Sequence, residues 1–134
     1  MSIFAKIAIK SSLVKHNAFL ILNIRTEYAE IDSLLHKMIL KVKFITNEGT
    51  EFDHLRPLLT NLVNQRMAIT NTFNRIINKY TSLNLHRMTN DDLKSLASEL
   101  QNQIRVSVRE KDDLRYIYVN RIQPHFEYLS MSFK

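Results

Sequence analysis

Five histidines, His16, His36, His54, His86 and His125, are the first side chains to test for chemistry. A helical metal site sets two ligands four residues apart on one face, as in His-Glu-x-x-His. No two of these histidines have that spacing, so no metal site is expected, and each is read as a surface or helix-boundary residue. The carboxylates pair no better. Asp112 and Asp113 are neighbours, which point in different directions on a helix. Asp91 and Asp92 are explained as helix-start residues facing the positive end of the helix dipole. An acid/base pair needs two carboxyls converging on one pocket with separated pKa values, and the spacing implies none. The chain has one glycine and no cysteine. A phosphate loop and a Gly-x-Ser-x-Gly elbow are therefore excluded, as are thiolate metal sites, cysteine nucleophiles and disulfides. No catalytic residue and no cofactor is expected, and the reading leans away from an enzyme.

Two polar features remain. Arg66 falls on an otherwise apolar helical seam, where a guanidinium must find acceptors or reach the edge of the bundle. Glu27 or Glu30 of the first helix, or an acid of a partner chain, is the expected acceptor. The second feature is the stretch between Asp53 and Asp91, which holds no acidic residue. Asn61, Asn64, Asn71, Arg75 and Asn78 fall on one helical stripe within it, with Lys79 beside them. Asparagine and arginine can read base edges, and arginine and lysine bind phosphate. Nucleic-acid binding is thus the alternative to a protein-interaction role.

That alternative has a catalytic variant. Asn120, Arg121 and His125 resemble, in residue type, the motif of small all-helical HEPN ribonucleases, an arginine followed after four to six residues by a histidine. The resemblance covers a handful of residues and implies RNA cleavage through Arg121 and His125. The stretch between them, Ile122-Gln123-Pro124, is one residue short and contains a proline.

What must position these residues is a set of long helices. Ile21, Ile24, Tyr28, Ile31, Leu35, Met38, Val42 and Ile45 repeat in alternating steps of three and four, a seam on one face of a helix. Leu34, Ile39 and Phe44 widen it. The helix is expected to begin near Ser11 or Ser12, with residues 2–10 a separate short helix or an extension. Asn47 to Thr50 is the clearest break. There Gly49 is expected to take a left-handed angle, and Thr50 with Asp53 to form a capping box. Leu55, Leu59, Leu62, Ile69, Phe73, Ile76 and Tyr80 define a second helix from about Asp53 to Tyr80, with Pro57 near its start. Thr81 to Met88 reads as a polar connection. Thr89 or Asn90 caps a third helix carrying Leu93, Leu96, Ala97, Leu100, Ile104 and Val108. Its charged cluster at 109–113 is either an exposed turn of one helix or a break between two, and continuation is favoured. Leu114, Ile117, Tyr118 and Ile122 resume the stripe until Pro124 ends or kinks it. Phe126, Tyr128, Leu129 and Phe133 are expected to pack the tail on the bundle.

The fold class is therefore all-α. Residues 1–134 form one up-down antiparallel bundle of three long helices, four if the third splits. The chain is 45% hydrophobic and 24% charged, as soluble domains are. Its net charge of +6 suits an acidic partner, nucleic acid or an anionic membrane without deciding among them. Before Glu27 the only charged groups are Lys6, Lys10, Lys15 and Arg25, among many apolar residues. The run Ala18–Leu22 is too short for a signal core or a membrane span, so this segment is expected to belong to the fold, not to a membrane surface. The absence of cysteine fits the cytoplasm. A first helix longer than the second leaves apolar surface that a second copy, or a protein partner, can cover. The expected function is a non-enzymatic interaction module, oligomeric as a homodimer, with Tyr28, Leu34, Phe44 and Arg66 at its interface.

Overall fold

The structure is a computed structural model that describes residues 2–132. Helix α1 spans Ile3–Thr46. The Ser2 hydroxyl accepts a 3.1 Å bond from the Ala5 amide and caps it. The start is therefore nine residues earlier than the serine pair at 11–12 suggests. Ser11 and Ser12 sit exposed inside the helix, where a serine costs only tenths of a kcal/mol (roughly 0.5) against alanine. No glycine or proline precedes Gly49 to stop the propagation.

Gly49 lies at φ 166° and ψ 160°, which is extended backbone and not the left-handed region expected. A 3₁₀ segment, Thr50–Leu55, follows it. The Thr50–Asp53 capping box does not form; Asp53 instead accepts from Arg56 Nε at 2.9 Å. Phe52 and Leu55 are buried in the core, so this segment packs where an early turn of the second helix was expected. Helix α2 then spans Arg56–Thr81 with Pro57 in its first turn. Proline is tolerated there because its missing amide proton has no partner to lose.

The connection to the third helix contains a short 3₁₀ turn, Leu85–Arg87, and is not purely polar: Leu85 and Met88 pack on the core. Helix α3 spans Asn90–Ile117, capped by the Thr89 hydroxyl, which accepts from the Asp92 amide at 3.1 Å. It runs unbroken through the charged cluster at 109–113. A π-helical segment, Tyr118–Ile122, leads into α4, Gln123–Ser132. Pro124 accounts for this widening. It has no N–H to give residue 120 and its ring crowds that carbonyl. The longer register, with the Gln123 amide reaching the Tyr118 carbonyl, removes the conflict. Of the expected tail contacts, Leu129 is buried and Phe126 is partly buried on the core, while Tyr128 is exposed. Phe133 lies outside the described residues.

All described residues outside turns are helical, and α1, α2 and α3 form an up-down bundle. Contacts along α1 give the order. Arg56 reaches the Thr46 carbonyl, Arg66 reaches Asp32, and Asn17 reaches the Leu93 carbonyl at the start of α3. Helix α1 is the spine, packed on α2 along one side and α3 along the other. The seam from Ile24 through Ile45 is buried throughout, each aliphatic side chain contributing about 1.5–3 kcal/mol. At 1.5 Å per residue the 44 residues of α1 extend about 66 Å and the 26 of α2 about 39 Å. Before Val14 no α1 side chain is buried.

Candidate functional site

A broad concavity lies between α1 and α2. Asp32, Ile39 and Lys43 line one side, and Val63, Arg66, Met67, Thr70 and Asn71 the other, around about 610 Å³ of open space. A second hollow of about 290 Å³ continues it, lined by Tyr28, Ala29, Ile69, Phe73 and Asn74, and shares Asp32 and Thr70 with the first. Together they make one groove along the α1–α2 seam. Its floor is apolar because Ile39 and Ile69 belong to the core stripes of their helices. Its α2 rim carries Val63 and Met67, the latter 62% exposed.

Arg66 bridges the groove. Its Nε donates to Asp32 Oδ1 at 2.9 Å and its Nη2 to Oδ2 at 3.3 Å, a two-pronged clasp. A third nitrogen, Nη1, lies 2.9 Å from His36 Nδ1. Arginine has only donors, so that contact requires His36 to accept at Nδ1 and carry its proton on Nε2. The hydrogen bond from Arg66 holds the Asp32 carboxyl below its ordinary value. The same bond raises the guanidinium. Asp32 and His36 are one helical turn apart on α1, so one arginine engages both. The partners expected for Arg66, Glu27 and Glu30, face α3 instead and bind Lys111. Asp32 was missed because it falls off the apolar seam; the signal for it was its four-residue spacing to His36.

The other expected interface residues divide. Tyr28 is buried and stacked on Phe73 at 5.3 Å between ring centroids, so it forms the end wall of the groove and offers no outward anchor. Leu34 is half-buried against the core. Phe44 is 38% exposed, its ring meeting Phe126 edge-on at 5.6 Å.

The polar stripe on α2 is exposed at every position: Asn61, Asn64, Asn71, Arg75, Asn78 and Lys79. Its cations are thinly spread. Lys79 is tied to Glu99 at 2.7 Å, and among the described residues Arg75 bonds only to Thr72. Phosphate contacts supply most non-specific nucleic-acid affinity, and one disengaged cation gives little of it.

Asn120, Arg121 and His125 do not converge. Asn120 donates to the Tyr116 carbonyl, Arg121 is exposed, and His125 packs its ring against Phe52 and His54 at 5.9 and 5.7 Å. Among the described residues no three histidine, aspartate or glutamate side chains gather as metal ligands. Among the described residues no helix is long and apolar enough to cross a membrane. The chain matches no protein family, no curated protein and no solved structure with which it was compared.

Proposed function

We propose that the protein is a non-enzymatic helical interaction module that pairs with a second copy of itself through the α1–α2 groove. The observation that carries this reading is the groove's make-up: an apolar floor, an exposed methionine on the rim, and a polar clasp across the middle. Helices dock into such grooves by their apolar faces, and methionine adapts its shape to what it meets. A second copy is favoured over an unrelated chain by the rim charges. Asp32 and Lys43 stand on the same rim, so a two-fold arrangement can set the lysine of each copy toward the aspartate of the other. The cytoplasm, which suits a cysteine-free interaction protein, is the proposed setting.

Sedimentation equilibrium from micromolar to near-millimolar protein tests this. A monomer–dimer equilibrium is expected. Met67→Glu should weaken it at least about tenfold, because a carboxylate would then be desolvated on an apolar rim. Met67 is largely exposed in the single chain, so helicity and melting temperature should hardly change. A chain that stays monomeric throughout the range overturns the proposal.

A further inference from the structure

Phe4, Leu22 and Leu40 are spaced eighteen residues apart on α1. Eighteen residues are about five full turns, so the three stand on one line along the helix. Phe19 and Phe44 both lie to one side of that line, within one residue step. These five side chains are between 38% and 80% exposed. Ile31, nine residues from both Leu22 and Leu40 and therefore about half a turn away in direction, is wholly buried. The line thus runs along the side of α1 opposite its buried seam, clear of α2 and α3; toward its C-terminal end the π-helical segment and α4 lie beside it, where Lys37 sits 4.9 Å over the Tyr118 ring and Phe44 meets Phe126.

The charges on this side are mostly basic, with the half-exposed Glu30 at its edge. Lys15, Arg25 and Lys37 lie on or beside the line. The acids of α1 are Glu27, Glu30 and Asp32, and all three turn toward the other helices, held by Lys111 and Arg66. A face of about 60 Å that combines large apolar side chains with an excess of cations fits a surface that is apolar beneath an acidic boundary. We propose that α1 lies lengthwise on an anionic lipid surface, its phenylalanines and leucines in the acyl boundary and its lysines and arginine among the headgroups. Amphipathic helices bind membranes in this way, by buried apolar area together with attraction to acidic lipid.

Charge argues against a second copy as the occupant. Two α1 helices laid parallel on this face would oppose Lys15 and Arg25 to their own counterparts, and neither residue has a carboxylate on the line beside it. It also distinguishes lipid from a soluble polyanion, because five large apolar groups gain nothing from a polar phosphate chain. This face is separate from the α1–α2 groove, so the proposal goes beyond pairing and does not depend on it.

Co-sedimentation with vesicles tests it. Full-length protein should bind vesicles containing phosphatidylserine at low salt, bind pure phosphatidylcholine vesicles far less, and be released as salt rises. Lys15→Gln with Arg25→Gln should weaken binding roughly 25-fold, at about fivefold per basic residue. Phe4→Ser with Leu22→Ser should abolish it. These side chains are exposed, so circular dichroism should show unchanged helicity in both variants. Met67→Glu should bind vesicles as the parent does. No binding to phosphatidylserine vesicles at low salt overturns the proposal. Binding that survives Phe4→Ser with Leu22→Ser also overturns it, marking a general polyanion surface. So does loss of self-association in that variant without vesicle binding by the parent, which would assign the face to a protein.

Discussion

Lys111 and Arg66 are each a cation on an apolar helical seam, and the bundle treats them differently. Lys111 on α3 is 7% exposed and meets two carboxylates of α1, Glu27 at 2.6 Å and Glu30. Those two bonds, Glu27's first, hold its ammonium above the ordinary lysine value. Arg66 on α2 keeps about a third of its side chain in solvent, 36%, and meets one carboxylate and one imidazole. One cluster is closed around its cation, with Lys111 and Glu27 mostly covered and only Glu30 reaching water. The other opens onto the α1–α2 groove. A closed cluster can only hold two helices in register. An open one can exchange partners with an incoming chain, since its ions are already half hydrated.

The largest effect that sharpens this contrast is expected at Lys111. Lys111→Ala leaves Glu27 and Glu30 facing each other at the α1–α3 seam. Removing one partner of a buried pair costs about 3 kcal/mol or more, and the loss here should fall below that because Glu30 is half in water. Urea unfolding should show it as a lower midpoint with an unchanged slope. Lys111→Met combined with Glu27→Gln and Glu30→Gln should recover most of the loss, because no unpaired charge remains. A midpoint unmoved by Lys111→Ala would mean that the cluster is not closed.

Arg66→Leu should cost less, under about 1 kcal/mol, because Asp32 is 43% exposed and can return to water. Its effect should appear in the assembly measured by sedimentation. Equal destabilisation by Arg66→Leu and Lys111→Ala would erase the distinction between the two clusters.

The contrast was only partly legible in the sequence. The α1 seam was, because three-and-four spacing fixes which side of a helix is apolar, and Ile24, Ile31, Leu35 and Val42 are all wholly buried. Thr89 as a cap was legible because its hydroxyl acts on an amide three residues away. Features that depend on which helix faces which were not. Glu27, Glu30 and Asp32 lie within six residues, and only packing sends two of them to α3 and one to α2. Lys111 sits in a run of five charged residues that reads as a solvated turn, yet its spacing to Ile104 and Leu114 already put it on the stripe. The groove itself was invisible, since it arises where Val63 and Met67 on α2 fail to meet α1. The π-helical segment follows from Pro124 but could not be told from an ordinary kink until the amide of Gln123 was placed.

A third cluster ranks below these two and tests the same idea at high pH. Tyr80 on α2 is buried, 3% exposed, and its hydroxyl donates at 3.0 Å to Glu99 on α3, which also accepts from Lys79. Burial, and then the bond to Glu99, push the phenol from its ordinary 10.0 up to about 12. Lys79 holds the Glu99 carboxyl below its usual value. The folded chain therefore keeps the Tyr80 proton where the unfolded chain has lost it. Its contribution to stability is full below pH 10 and declines as pH rises through the window from 10 to about 12. The chain has no tryptophan, so phenolate absorbance reads this directly, and a late-ionising tyrosine phase is expected. Tyr80→Phe should remove the latest part of that phase, leaving Tyr28, which burial also raises. At neutral pH the variant should lose only about 1 kcal/mol, since Glu99 retains Lys79. A Tyr80 that ionises at the ordinary value would show that the α2–α3 cluster is as open to water as the Arg66 clasp, and would leave Lys111 as the single closed ion site in the contrast.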